Sequence, residues 1–131
     1  MKFMMMMNTP GSTRGDYPIN HWSPDDFKAH VAFMHAYNKQ LKDAGEFVDA
    51  QGLTPPVQAK LVRAGATGEP ITDGPFTESK EFVAGYWIID VDSADRAYAL
   101  AARVSAAPGP GGKPLNMGIE VRQIMAGPPP A

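Results

Sequence analysis

Three observations make this chain a single α+β domain. Two helix-patterned stretches alternate with strand-patterned ones, the strands are apolar at successive positions, and 131 residues with 44% apolar composition suit one core rather than two. The order reads β-α-β-β-ribbon-β-α-β, a ferredoxin-like split βαβ sheet with both helices on one face. The domain spans residues 1–125, with a loose Pro-rich tail at 126–131.

The first strand is Phe3 to Met7, an apolar block too short for a stable helix and closed by the turn signal Asn8-Thr9-Pro10-Gly11. Five of the eight methionines lie within the first seven positions. Lys2 before this block imitates a signal peptide. The block is shorter than the 7–15 residues of a signal core, and no small-residue cleavage site follows. Residues 9–22 are polar and read as a loop.

Ser23-Pro24-Asp25-Asp26 starts the first helix: a hydroxyl cap, a proline where a missing N–H costs nothing, and two acids at the positive dipole end. Phe27, Val31, Met34, Asn38 and Leu41 follow at helical spacing, and Gly45 ends the helix. A second strand covers Glu46 to Ala50. Val57 to Ala64 alternates as a third, with Gly65 to Gly68 turning into a short return at Glu69 to Thr72. Val83 to Val91, with Trp87, Ile88 and Ile89 consecutive, is the strongest strand signal. Asp92 caps the second helix, Asp95 stands in a capping-box position, and Ala94, Ala97, Tyr98, Ala101 and Val104 form its apolar face. Residues 105–118 are a mobile Gly/Pro-rich loop, and Ile119 to Met125 is the last strand.

Helices on one face leave the other sheet face open, yet MMMM and YWII are apolar on both sides of their strands. A second copy of the sheet is the simplest cover, so the expected assembly is a homodimer stacked sheet to sheet.

Composition excludes several functions. The net charge of −2 and the sequence pI near 5.8 argue against nucleic acid and against an anionic membrane. No apolar run approaches the roughly 18 residues that span a bilayer. With no cysteine, disulfides, thiolate metal sites and cysteine nucleophiles are excluded, and a reducing, cytoplasmic setting is expected. The chain has no Gly-x-Gly-x-x-Gly, phosphate loop, Gly-x-Ser-x-Gly or His-Glu-x-x-His, and no cofactor is expected.

The densest reactive segment is Thr72-Asp73-Gly74-Pro75-Phe76-Thr77-Glu78-Ser79-Lys80-Glu81. As plain structure it is a tight turn anchored by Phe76. As a site it offers Asp73 as base or acceptor, with Glu78 and Lys80 at a pocket mouth. His30 and His35 on the first helix are five apart, about 140° around a regular helix, so they do not pair on a metal. His35, beside core-facing Met34, reads as a half-buried structural histidine or a catalytic one. Tyr86 and Trp87 point to opposite sheet faces. Glu120 and Arg122 share a face opposite Val121, and Arg122 either joins a solvated pair or holds an anion or Asp73.

The segments MKFMMMM, NKQLKDAGEFVDAQGL, TDGPFTESKEFVAGYWIIDV and IEVRQI resemble the YCII-related family, in the subgroup named for its DGPF motif. The resemblance covers most of residues 1–125 and implies a ferredoxin-like fold that dimerises into an α+β barrel. Some members look like lyases with a His-Asp pair, the histidine eleven residues before the glycine that ends the first helix. Counting back eleven from Gly45 reaches Met34, one residue short of His35, while Asp73 matches the acid. The resemblance thus implies a homodimer that binds a small molecule, with a lyase or isomerase activity centred on Asp73 and His35. Gly74, Pro75, Phe76, Glu78, Lys80, Tyr86 and Arg122 would hold the ligand. The alternative it implies is a non-enzymatic sensor or interaction module, since DGPF-type relatives are often encoded beside extracytoplasmic-function sigma factors.

Overall fold

A computed structural model describes residues 1–10, 17–73 and 81–130. Its strands and helices are β1 (Lys2–Pro10), α1 (Pro24–Asp43), β2 (Phe47–Gly52), β3 (Leu61–Ala64), β4 (Pro70–Asp73), β5 (Glu81–Asp90), α2 (Ala94–Ser105) and β6 (Ile119–Gln123). Short 3-10 turns occur at Pro18–His21, Pro56–Gln58 and Pro110–Gly112. The main sheet has the order β2-β5-β1-β6 with every neighbour antiparallel, and β3-β4 form a separate two-stranded ribbon. The architecture is α+β and consistent with a ferredoxin-like fold. No helix among the described residues is long and apolar enough to cross a membrane.

Strand alternation sorts the sheet. Phe3 and Met5 of β1 and Trp87 and Ile89 of β5 are buried with Tyr37 and Leu41 of α1 and Ala97, Leu100, Ala101 and Val104 of α2, so both helices cover one face. Two polar clips tie the layers. The Tyr37 hydroxyl donates to the Leu100 carbonyl at 2.8 Å, and the Trp87 indole N–H donates to the Asn38 side-chain oxygen at 2.8 Å. Burial pushes the Tyr37 phenol well above its ordinary pKa, so it serves as a donor throughout the working range.

The other face has no cover among the described residues. Two cross-strand rows run over it: Asp49–Ile88–Met4–Arg122 and Gln51–Tyr86–Met6–Glu120. Met4, Met6, Tyr86 and Ile88 in the middle are half-buried, while Glu120 and Arg122 at the β6 edge are exposed. The face is therefore an apolar stripe between polar margins.

α1 starts and stops as its sequence dictates. Ser23 Oγ accepts from the Asp26 N–H at 3.2 Å. At the other end Gly45 takes φ +71°, which lets the Glu46 N–H reach the Leu41 carbonyl at 2.9 Å and the Gly45 N–H reach Lys42 at 3.1 Å.

Elsewhere the structure corrects the reading. The cap of α2 is Ser93, whose hydroxyl accepts from the Arg96 N–H, rather than Asp92. Tyr98 is 54% exposed and Leu100 takes its place in the buried face. Phe27 is 44% exposed, because it lies in the first turn of α1, one turn ahead of the first buried position, His30. Of the strand expected at 57–64, the first two residues belong to the 3-10 turn Pro56–Gln58 and only Leu61–Ala64 form a strand, pairing with β4 and not with the main sheet. The two prolines at 55 and 56 supply no N–H for a ladder, which delays the strand.

The stretch 105–118 is pinned rather than loose. Ala107 and Gly109 are buried, the Leu115 N–H donates to the Ala107 carbonyl, and the Ser105 hydroxyl donates to the Met117 carbonyl. Gly111 and Gly112, at φ +69° and +75°, let this short segment fold back on itself.

Candidate functional site

A cleft lies between α1 and the sheet. Its origin is the helix-facing row Met7–Gly85–Gly52 across β1, β5 and β2, where two facing glycines place no side chain under the helix. A Cβ on Gly85 would stand 2.9 Å from the Gln51 carbonyl oxygen, so the strands here approach too closely for any other residue. Two adjoining cavities share Met7, His30 and Gly52. One of about 240 Å³ continues along α1 past Met34 and Asn38. The other, of about 370 Å³, opens toward Trp22, Leu53, Leu115 and Met117.

His30 sits where the two meet. With Met34 and Asn38 it forms a stripe at i, i+4 and i+8, one face of α1 turned to the sheet. It is 7% exposed, the one buried polar residue among those described. Its Nδ1 lies 2.9 Å from the Pro108 carbonyl oxygen. A carbonyl only accepts, so Nδ1 carries the hydrogen and the neutral ring keeps its lone pair on Nε2. Trp22 packs edge-on against the ring, with centroids 5.4 Å apart. Among the described residues Nε2 has no hydrogen-bond partner. Every fully buried side-chain nitrogen or oxygen there is satisfied, so Nε2 remains open to the cavity.

This geometry holds a base. The ring is oriented through Nδ1 by a fixed acceptor, as in hydrolytic triads, but the acceptor is a neutral carbonyl rather than a carboxylate. His30 can therefore accept a proton or a hydrogen bond at Nε2, with less stabilisation of the charged ring than an aspartate would provide. The remaining polar groups are largely committed. The Tyr17 hydroxyl shares its one hydrogen between the Leu53 and Thr54 carbonyls, and burial raises its pKa. Asn38 spends its oxygen on Trp87.

Of the described residues singled out from sequence, only Tyr86 borders this cleft. His35 is exposed on the far side of α1 from His30. Asp73 ends β4 on the exposed ribbon, where its carboxylate accepts from Arg63 at 3.2 Å. His35 and Asp73 form no hydrogen bond or ion pair with each other. Tyr86 has its side chain on the uncovered sheet face. There its hydroxyl donates to Asp49 at 3.3 Å, and desolvation together with that carboxylate raises its pKa. Arg122 is exposed at the β6 edge of the same face. Gly74, Pro75, Phe76, Glu78 and Lys80 lie outside the described residues. No group of three or more His, Asp or Glu among the described residues is arranged to hold a metal ion.

His30 is the residue that sequence reasoning passed over. Its signal was its spacing: His30, Met34, Tyr37 and Leu41 fall at i, i+4, i+7 and i+11, a core-facing stripe that includes a histidine. The 140° offset already meant that only one of His30 and His35 faces the core.

The model of the YCII-related domain matches residues 1–110 of the chain. An uncharacterized protein of Rhizobium meliloti (strain 1021) is 29% identical over 103 residues, which is 79% of this chain and 79% of that protein.

Proposed function

The chain belongs to the YCII-related family, and we propose that it is a small-molecule-binding homodimer in which the cleft between α1 and the sheet holds the ligand. One observation carries this reading: a buried histidine, anchored through Nδ1–H to Pro108, presents an unshared Nε2 lone pair to two joined cavities. A base so placed suits proton abstraction next to a leaving group or a carbonyl, the first step of a lyase or an isomerase. The activity is thus assigned to His30, in place of a pocket centred on Asp73 and His35. His30→Ala tests it. Ligand-induced shifts of cleft amides in NMR spectra, found by fragment screening of the wild-type chain, should vanish in this variant, and their persistence unchanged would count against the assignment.

The homodimer is supported by the uncovered face. Its row Asp49–Ile88–Met4–Arg122 runs acid–apolar–apolar–base, so a two-fold axis lying between the stacked sheets and parallel to the strands brings Asp49 of one copy toward Arg122 of the other and buries Met4, Met6 and Ile88 between them. The motif Asp73-Gly74-Pro75-Phe76 supports membership of the DGPF subgroup, and the absence of cysteine suits the cytoplasm.

A second reading has its own support. All eight residues of the β3-β4 ribbon are exposed, including Leu61, Val62 and Ile71, and a two-stranded ribbon is marginal alone. This apolar patch suits an interaction module that engages a protein of the transcription machinery. Val62→Lys with Ile71→Lys separates the readings: co-purification with a sigma factor, lost in the double variant, would favour the module.

A further inference from the structure

We infer that the ligand of this cleft is an uncharged, largely apolar molecule that donates a hydrogen bond to His30 Nε2; the inference rests on the cleft being the binding site. Charge comes first. None of the described residues lining either cavity is Lys, Arg, Asp or Glu. Among these described residues a carboxylate or phosphate would lose its hydration without meeting a Lys or Arg, and an ammonium group would meet no carboxylate. Either loss exceeds what the apolar contacts of a small molecule return.

Polarity then sets the complement. Because Nδ1–H is held by Pro108, the neutral ring offers the cleft an acceptor and no donor. A ligand without a donor leaves Nε2 desolvated and unpaired, so the site selects against it. The apolar walls are Met7, Met34, Trp22, Leu53, Leu115 and Met117, three flexible thioethers, two leucines and one indole that adapt to a flat or irregular apolar body, beside the amides of Asn8, Asn38 and Gln51.

Three compounds of nearly one shape test the class on the full-length wild-type protein by amide NMR titration. Indole carries a single N–H donor and no charge, 1-methylindole lacks the donor, and indole-3-carboxylate adds a negative charge. The expected order is indole tightest, with each of the others about tenfold weaker or more. In His30→Phe, an aromatic replacement without a ring nitrogen whose fold is checked by its amide spectrum, indole and 1-methylindole should bind alike. Equal binding of indole and 1-methylindole to the wild type, or tighter binding of the carboxylate, overturns the ligand class and leaves the cleft as the site. If none of the three shifts the amides of Met34, Asn38 or Leu115, the cleft reading itself fails and the class falls with it.

Discussion

The imidazole Nδ1–H of His30 donates to the carbonyl oxygen of Pro108, 2.9 Å away and 78 residues further along the chain. The bond joins α1 to the segment after α2 and decides which ring nitrogen faces the cavities. The neutral His30 ring should therefore be the Nδ1–H tautomer. Long-range proton–nitrogen correlation spectra above pH 8 report this directly, and an Nε2–H ring would contradict the orientation on which the proposed base depends.

The sheet-to-sheet dimer makes a charge-reversal prediction. Asp49→Arg and Arg122→Asp should each weaken self-association by about tenfold, since each faces like charges across the two-fold axis, and the double variant should recover most of the loss. Sedimentation equilibrium reads this out. A wild-type protein that stays monomeric at micromolar concentration would refute the dimer. A wild-type dimer indifferent to both reversals would refute only this alignment of the two sheets.

Gly85→Ala should cost about 1–3 kcal/mol in denaturant unfolding, because the new methyl would stand 2.9 Å from the Gln51 carbonyl oxygen of β2 and force the two strands apart. It should also perturb the cleft, whose helix-facing wall includes Gly85 and Gly52. An unchanged unfolding midpoint would show that β2 and β5 separate more easily than their pairing implies.

Glu46, at the turn between α1 and β2, accepts two hydrogen bonds from the Arg96 guanidinium of α2, each at 2.8 Å. The Arg96 hydrogen bonds, together with its charge, hold the Glu46 carboxyl below its ordinary pKa against the opposing desolvation. A carboxyl depressed on folding stabilises the protein above its unfolded pKa, about 4.3, and the stabilisation is lost as the pH falls through the lower folded value. Glu46→Gln should cost about 1 kcal/mol at pH 7, discounted because Arg96 is partly exposed, and little at pH 3. Equal destabilisation at both pH values would exclude a charge effect.

Tyr37→Phe should cost about 1 kcal/mol, the net worth of one buried hydrogen bond, with the ring packing retained. Thermal unfolding of the two proteins gives the comparison. A much larger loss would mean that the Leu100 carbonyl relies on this hydroxyl rather than on its own helix.

Local chemistry was legible wherever a side chain acts on its neighbours. Ser23 caps α1 and Gly45 closes it because both contacts lie within a few residues. The α2 cap slipped by one residue because Asp92 and Ser93 are both good caps. What separates them is the backbone, which aims Ser93 Oγ at the Arg96 N–H. Trp87 and Tyr86 were assigned to opposite faces by alternation alone, and they lie there.

The site was less legible because its parts are distant in sequence. Nothing near His30 announces Pro108 or Trp87, and the reactive types clustered around Asp73 draw the eye to a ribbon whose described members are exposed. The sequence by itself determined the α+β class, the two helices with both ends of the first, and the alternation that sorts β1 and β5 between core and open face. Those follow from periodicity and from contacts a few bonds away. Only the tertiary structure decided that His30 rather than His35 is buried, that residues 105–118 are pinned to α1, and that paired glycines of β2 and β5 open a cleft beneath the helix. Each of these depends on which distant segments meet, and a pattern read along one chain carries no information about that.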